Sequence, residues 1–274
     1  MNTLFLVGTP IGNMGDLSPR AVEVLRSVGL VCCEDTRRTG LMLNNLGVDA
    51  TLMRLDEHTE VASIPRVLDA LNDGRDVALV SDAGTPAISD PGAKLVAAVV
   101  ESRHDVTAVP GASAALAALT ISGLPTDRFV FEGFLPRSGA ERTSRLAVVA
   151  RESRTVVLFE APHRIERTLD DLAESCGGDR SVAVCRELTK IHEEVMRGSL
   201  SDVRARLGEP RGEYVIVLGG AVEAVNASAD DVDRMLRHEL ANGASTRDAA
   251  ATVAEMTGES RKVLYARALE LGRG

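Results

Sequence analysis

Short, continuous apolar runs alternate with longer segments of helical periodicity over the first 110 residues. Four runs have the length of strands that are buried on both faces; they are residues 3–7, 30–33, 77–80 and 106–109. Helical periodicity, with apolar residues every three or four positions, is found near residues 19–28, 61–71 and 90–99. Strands that alternate with helices in this way predict an α/β fold with a parallel sheet covered on both faces.

The helix starts and the second half of the chain agree with this alternation of strands and helices. Ser18-Pro19 and Asp90-Pro91 have the residues that favour the first turn of a helix. After Gly111 an Ala-rich helix is predicted over residues 111–119, and the alternation then restarts. Strands are predicted there at residues 129–131, 155–159, 181–185 and 214–218. Helices are predicted near residues 140–150, 163–175 and 199–207. We therefore predict two α/β subdomains, at residues 1–112 and 113–222.

The remainder of the chain, residues 227–274, has no strand-like run. Helices are predicted there at residues 230–241, 246–256 and 259–271, with turns at Asn-Gly and Thr-Gly. Three short helices of this size indicate a helix-turn-helix unit. The alternative is a helical extension that packs on the body or mediates dimerisation.

Composition limits the classes of function. Aromatic residues make up 3% of the chain and Trp is absent, which argues against the stacking platforms of many RNA-binding modules. A net charge of −9 argues against nonspecific nucleic-acid binding. The exception is a segment where five arginines face two glutamates; the arginines are Arg137, Arg142, Arg145, Arg151 and Arg154. We interpret it as a candidate RNA-backbone patch, with a solvated helix face as the alternative.

The four cysteines have apolar neighbours and form no C-x-x-C pair, which predicts buried thiols rather than a disulfide framework or zinc site. No cluster of His, Asp and Glu has the spacing of metal ligands. The first residues lack the pattern of a signal peptide, and no apolar stretch is long enough to cross a bilayer. We expect a cytoplasmic protein with no metal and no membrane partner.

Three loops of small residues follow predicted strands, at the strand ends where α/β sheets bind ligands. They are GTPIGN from Gly8, SDAGTPAISDPG from Ser81 and PGASA from Pro110. The first is neither a dinucleotide-binding G-x-G-x-x-G motif nor a P-loop. Small residues let the backbone approach a ligand closely. The three loops therefore indicate a cleft that contacts its ligand mainly through backbone groups.

A set of longer strings gives a specific resemblance. In order, the chain contains VGTPIGNMGDLSPRA, CCEDTRRTG, SDAGTPAISDPG, VPGASA, FEGFLPR, FEAPHRI, CRELTKIHEEVMRG and GEYVIVLGG. Together they resemble the small-subunit ribosomal RNA methyltransferase I family of the tetrapyrrole-methylase superfamily, across residues 3–220. Porphyrinoid-methylating relatives carry G-x-G-P-G-D and G-D-P loops, whereas this chain has GTPIGN and SDAGTP. The difference favours the RNA branch.

The resemblance implies a homodimer that binds S-adenosyl-L-methionine in a cleft between two α/β subdomains. It implies methyl transfer to the ribose 2′-oxygen of a cytidine in the decoding region of 16S rRNA, in the small ribosomal subunit. The positions that it carries over to the donor cleft are Pro10, Asp82, Ala83, Gly84, Ile88, Ser89, Ser113, Ala114, Phe131, Glu160, Ala161, Leu188 and Gly212.

Charged residues beside these loops are candidates for binding the RNA ribose that accepts the methyl group. We expect Arg37 to contact phosphate and Glu34 or Asp35 to orient the ribose. The alternative for this segment is an acidic N-capping turn with solvated arginines. Lys190 could neutralise phosphate or assist deprotonation, or form a surface ion pair with Glu193 or Glu194.

Two histidines complete the candidates. His58 could be a base or an RNA contact, or an ordinary surface residue. His163 follows a predicted strand end and is a further candidate RNA contact. Two other functions remain open for the chain as a whole: a methyltransferase for a tetrapyrrole-type small molecule, and a noncatalytic RNA-binding assembly factor.

Overall fold

The computed structural model describes residues 2–221 and 228–272, which form two compact units. The first unit contains both β-sheets and comprises the residues up to Ala150 and Arg154–Gly219. The second comprises Arg151–Ser153 and the chain from Gly220 onward. The predicted subdomain limits at residues 1, 222, 227 and 274 lie outside the described residues.

The first sheet confirms the predicted parallel α/β arrangement. Its strands are β1 (Thr3–Val7), β2 (Leu30–Cys33), β3 (Leu52–Arg54), β4 (Val77–Val80) and β5 (Asp105–Val109). Its helices are α1 (Pro19–Ser27), α2 (Thr36–Asn45), α3 (Glu60–Asn72) and α4 (Ala93–Glu101). The strands are all parallel, in the order β3-β2-β4-β1-β5. Since β1 lies between β4 and β5, the loops that follow these three strands leave the sheet side by side.

Close backbone contacts hold the three loops together. The Gly8 N–H donates to the Val109 carbonyl over 3.0 Å, and a Cβ on Gly8 would lie 2.8 Å from the Gly111 Cα. A side chain at either glycine would therefore force these loops apart. Thr9 and Gly84 exchange two backbone hydrogen bonds of 2.8 and 3.1 Å. The small residues seen in the sequence thus serve loop-to-loop packing as well as the cleft.

The second sheet is mixed. Its elements are α5 (Ala114–Ser122), β6 (Phe129–Phe134), α6 (Gly139–Arg151), β7 (Thr155–Glu160), α7 (Ile165–Cys176), β8 (Ser181–Arg186), β9 (Glu194–Ser199), α8 (Leu200–Arg206) and β10 (Tyr214–Leu218). The strand order is β6-β7-β10-β8-β9. β10 runs antiparallel to both of its neighbours, and only the β6–β7 pair is parallel.

Each sheet is buried between layers of helices. Side chains of α1 and α2 pack on one face of the first sheet, and those of α3 and α4 on the other. In the second sheet, α6, α7 and α8 cover one face and α5 covers the other. Each fully buried Leu or Ile stabilises this arrangement by about 1.5–3 kcal/mol. The cysteines are free thiols, of which Cys32, Cys33 and Cys185 are buried and Cys176 is half-buried.

Several elements differ from the sequence prediction. α2, β3 and β9 have no counterpart among the predicted elements, and α4 begins at Ala93 rather than at Asp90-Pro91. β3 has only three residues, which is too short to show an alternating pattern. α2 depends on capping by Asp35, whose carboxylate accepts the Arg37 N–H over 2.8 Å. The capping agrees with the acidic N-capping turn that was the alternative for this segment.

The second unit contains three helices close to the predicted positions: α9 (Ala229–Ala241), α10 (Thr246–Thr257) and α11 (Arg261–Leu271). A small core of Leu236, Val253 and Leu264 joins them. α9 begins with a capping box formed by Ser228 and Asp231. Within the described residues, the structure contains no helix with the length and apolar character that a bilayer crossing requires.

Candidate active site

A cavity of about 450 Å³ lies where the loops after β1, β4 and β5 face the second sheet. Its volume is in the range of small-molecule sites. We call it the loop cavity. Nine residues predicted to contact the methyl donor line it: Asp82, Ala83, Gly84, Ile88, Ser89, Ser113, Ala114, Glu160 and Ala161.

The other four predicted donor residues are not part of this lining. Pro10 lines a neighbouring cavity. Phe131 lies behind the lining and packs edge-on against Phe159, with ring centroids 5.0 Å apart. Leu188 is buried in the apolar cluster under the site, and Gly212 adopts a φ of +75° next to a lining residue. The last three therefore support the wall of the loop cavity.

Sequence reasoning missed about half of the lining: Ile11, Arg38, Thr85, Asp90, Phe134, Phe159, Pro162, Glu213, Tyr214 and Val215. All ten positions fall inside the strings that carry the family resemblance. Phe134, for example, belongs to FEGFLPR, and Glu213 to GEYVIVLGG. The strings therefore contain these lining residues, although no contact with the methyl donor was predicted for them.

The loop between β4 and α4 has an unusual backbone. Ala87 and Ser89 adopt left-handed φ angles of 67° and 61°. Such conformations cost about 1–3 kcal/mol each in a non-glycine residue and persist only where the surroundings fix them. Gly92 has a φ of +135°, and a Cβ there would lie 2.5 Å from a methyl carbon of Leu79. The loop is therefore held in one specific shape.

Glu60 supplies part of that restraint. Its side chain is buried, and its Oε1 atom accepts hydrogen bonds from the backbone N–H groups of Gly92, Lys94 and Leu95 over 2.9–3.2 Å. A carboxylate at this position satisfies the free N–H groups at the start of α4 and interacts favourably with the helix dipole. Glu60 thus anchors the end of the loop without reaching the cavity.

Five carboxyl groups make the lining acidic: Glu34, Asp82, Asp90, Glu160 and Glu213. Burial, reinforced by repulsion from Glu34, raises the pKa of Asp90 to about 7, although a hydrogen bond from Ser81 opposes the shift. Burial also raises the pKa of Glu34. Asp82 stays paired with Arg38, at 2.9 Å between Oδ2 and the guanidinium. A cavity of this charge favours a cationic ligand.

The charged residues that follow β2 have two different roles. Glu34 lines the loop cavity, but Asp35 and Arg37 line neither cavity. Asp35 caps α2 and pairs with the Arg37 guanidinium at 2.8 Å, which holds the pKa of Asp35 well below its usual range. The Arg37 side chain is 90% exposed. The alternative interpretation, a capping turn with a solvated arginine, therefore describes these two residues, and Arg38 takes the position at the cavity.

A second cavity of about 390 Å³, which we call the side cavity, adjoins the first. Lys190 lines it and pairs with Glu187 at 2.8 Å and Glu213 at 2.9 Å, not with Glu193 or Glu194 as the alternative proposed. Burial alone would lower the pKa of Lys190, but the hydrogen bonds that its ammonium group donates to the two carboxylates outweigh this effect and raise the pKa. Lys190 is therefore a fixed cation, and the expectation that it assists deprotonation is not supported.

Neither candidate histidine lines the loop cavity or the side cavity. His58 is exposed, and its backbone N–H donates to Asp56 in the turn before α3. His163 is also exposed and lines neither cavity. Within the described part of the chain, no group of His, Cys, Asp and Glu is arranged to hold a metal ion.

The structure contradicts the expectation that Arg142 contacts RNA. Its side chain is buried, with the guanidinium bound to Asp171 at 2.7 Å and to the Pro136 carbonyl at 2.9 Å. Its third contact is the Thr168 hydroxyl, which in turn donates to the buried Glu160 carboxylate over 2.6 Å. Arg142 therefore supports the wall of the loop cavity.

Three arginines of the predicted patch are exposed, and one of them is Arg151 at the end of α6. Arg137 is exposed. Arg145 is about half exposed and pairs with Glu132 at 3.1 Å. Arg137 and Arg145 lie in the segment between β6 and the end of α6.

Comparison with known proteins identifies the family. Residues 3–204 match the model for tetrapyrrole (corrin/porphyrin) methylases, and residues 226–272 match a model described as the RsmI C-terminal HTH domain. The second match favours the helix-turn-helix alternative for the tail. Among solved structures, uroporphyrin-III C-methyltransferase from Thermus thermophilus, complexed with S-adenyl homocysteine, has a TM-score of 0.59 at 17% identity. That match covers 81% of this chain and 99% of the other, and shows the fold.

More similar relatives narrow the family. A Synechocystis sp. protein is 45% identical over 99% of both chains. A Pseudomonas aeruginosa protein is 43% identical over 98% of this chain and 97% of its own. Both are named ribosomal RNA small subunit methyltransferase I. The chain belongs to the tetrapyrrole methylase family and, within it, to the ribosomal RNA small subunit methyltransferase I group.

Proposed function

We propose that the chain transfers a methyl group from S-adenosyl-L-methionine to the ribose 2′-oxygen of a cytidine in the decoding region of 16S rRNA. The loop cavity is the observation that carries this proposal. It combines three small-residue loops at the carboxyl ends of adjacent strands with a wall from the second sheet. The names of the relatives support ribosomal RNA of the small subunit as the substrate.

The residues of the loop cavity fit the proposed donor. Ala83, Gly84 and Ala114 leave room for close backbone contact, and Phe134 and Phe159 provide apolar surface. The carboxyl groups of Glu34, Asp82 and Asp90 favour positive charge. The donor, when bound, supplies a methyl carbon attached to a positively charged sulfur.

The chain has to place the acceptor oxygen in line with that carbon, at about 3–3.5 Å. A C–O bond forms as the C–S bond breaks, and the hydroxyl proton passes to a base. Glu34 is suited to accept it, because it lines the loop cavity and burial raises the pKa of its carboxyl group. Arg38 holds Asp82 beside it through the ion pair at 2.9 Å.

We further place the protein in the cytoplasm as a homodimer, which is the arrangement that the family resemblance implies. Light scattering on the purified protein tests the dimer directly. A monomer at micromolar concentration would contradict it.

The decisive experiment uses small ribosomal subunits from a strain that lacks the gene. Labelled S-adenosyl-L-methionine is added with the purified protein, and the 16S rRNA is mapped by mass spectrometry. We expect one methyl group on a cytidine ribose of the decoding region. Transfer to a porphyrinoid but not to RNA would favour the small-molecule alternative. Absence of donor binding in calorimetry would favour the noncatalytic assembly factor.

A further inference from the structure

We propose that the side cavity binds the RNA nucleotide that receives the methyl group, with its base against α2 and the loop after β1. The inference rests on the proposed function and names the acceptor subsite of that reaction. It also selects one of two approaches to the loop cavity. The other approach is at Phe134, which lines the loop cavity, is exposed, and precedes Arg137 by three positions in the chain.

The side cavity adjoins the loop cavity. The two share five lining residues: Ile11, Arg38, Asp82, Ala83 and Glu213. A methyl group can pass between donor and acceptor only where their sites meet, because the reacting atoms must come within about 3–3.5 Å. The side cavity lies next to the loop cavity across these five shared residues, as this requirement demands.

Exposed apolar side chains line the side cavity. Met14 and Leu41 line it and are 46% and 63% exposed, and Met42 lines it beside them. Exposed apolar groups on the wall of a cavity indicate a ligand surface rather than core packing. The chain has few aromatic residues for stacking, so thioether and aliphatic side chains provide the contact for a flat base. Asn45 adds an amide that can both donate to and accept from a base edge.

Two cations in the lining fit the phosphates on either side of a nucleotide. Arg38 and Lys190 are held in place by their carboxylate partners, Asp82 for the first and Glu187 and Glu213 for the second. An ammonium group has three N–H donors. Two of those on Lys190 serve the carboxylates, and the third is available to a phosphate oxygen.

A matched pair of charge variants tests the inference. Leu41→Asp places a carboxylate on the wall of the side cavity, and Val100→Asp places one at another exposed apolar position, on α4, that lines neither cavity. Both changes alter the net charge equally, and both positions tolerate a polar residue because they face solvent. The readouts are the KM for unmodified small ribosomal subunits and the donor Kd from calorimetry.

We expect Leu41→Asp to raise the KM for subunits about fivefold or more at low salt, and less at high salt, with an unchanged donor Kd. Val100→Asp should behave as wild type. A Leu41→Asp variant with wild-type KM overturns the inference, and so does one whose donor Kd rises in parallel. A rise in KM for Arg145→Ala, without one for Leu41→Asp, assigns the acceptor to the approach beside Phe134. If the wild-type protein transfers no methyl group to RNA, the proposed function fails, and this inference fails with it.

Discussion

The carboxyl group of Asp90 shows how the loop cavity alters a single residue. Burial, with repulsion from Glu34, raises its pKa from 3.8 to about 7. The folded protein thus favours the protonated form, and the stability that this form contributes is lost as pH rises from about 4 to 7. We predict that Asp90→Asn becomes more stable than wild type as pH rises from 5 to 8. The gain at pH 8 should be about 1–2 kcal/mol after allowance for partial exposure.

Urea unfolding of both proteins at several pH values measures this difference. Asp49→Asn, at an exposed carboxylate, is the control and should show no such trend. A difference between Asp90→Asn and wild type that stays constant from pH 5 to pH 8 would show that Asp90 keeps an ordinary pKa.

A comparison of substitutions at Gly84 and Gly123 distinguishes the effect of backbone strain from the effect of lost ligand contact. It has a φ of +85° and lines the loop cavity, whereas Gly123 has a φ of +78° and nothing within 4 Å of its missing Cβ. Valine at either position strains the backbone, at a cost of about 1–3 kcal/mol. We predict that both Gly84→Val and Gly123→Val lower the melting temperature. Only Gly84→Val should weaken donor binding, by about tenfold or more, as measured by calorimetry. Equal donor affinities in the two variants would remove Gly84 from the donor site.

At the scale of elements, α4 and the loop before it form one functional piece. Glu60, on α3, binds three N–H groups at the junction and so couples α3 to the shape of the loop. We predict that Glu60→Gln destabilises the protein by about 1–3 kcal/mol, because an amide is a weaker acceptor for these groups. The donor Kd should rise severalfold as the loop loosens. Exposed Glu101, at the other end of α4, provides Glu101→Gln as the control. A stability loss with an unchanged donor Kd would limit Glu60 to holding the helix.

The elements also show what the sequence could and could not predict. The buried strands and long amphipathic helices follow from periodicity, and the three small-residue loops follow from their positions after strands. The start of α4 cannot be predicted in this way, because Asp90-Pro91 has the sequence pattern of a helix start but the helix begins at Ala93. Glu60, whose carboxylate binds the N–H groups at the start of α4, lies about 30 residues earlier in the chain. Arg142 illustrates the same limit for the site. Its neighbours in sequence suggest a solvated patch, but its partners Thr168 and Asp171 are distant in sequence.

At the scale of the whole molecule, a chain of net charge −9 has to engage a polyanion. Local basic groups therefore have to provide the attraction. Arg137 and Arg145 are two of the exposed arginines in the first candidate patch, and they are the pair chosen for the test. In the tail, Arg261 and Lys262 lie exposed at the start of α11 and represent the rival surface.

The salt dependence of RNA binding distinguishes these surfaces. Removing one cation that binds a phosphate should reduce the slope of log affinity against log salt by about 0.7–0.9. We predict that Arg137→Ala combined with Arg145→Ala weakens binding to small ribosomal subunits and flattens this slope, with an unchanged donor Kd. Arg261→Ala combined with Lys262→Ala removes the same charge from the tail and should leave the slope closer to wild type. The reverse result, a flattened slope for the tail variant and a wild-type slope for the first, would make the helix-turn-helix unit the RNA-binding surface. The acidic body would then contribute only the site where the methyl group is transferred.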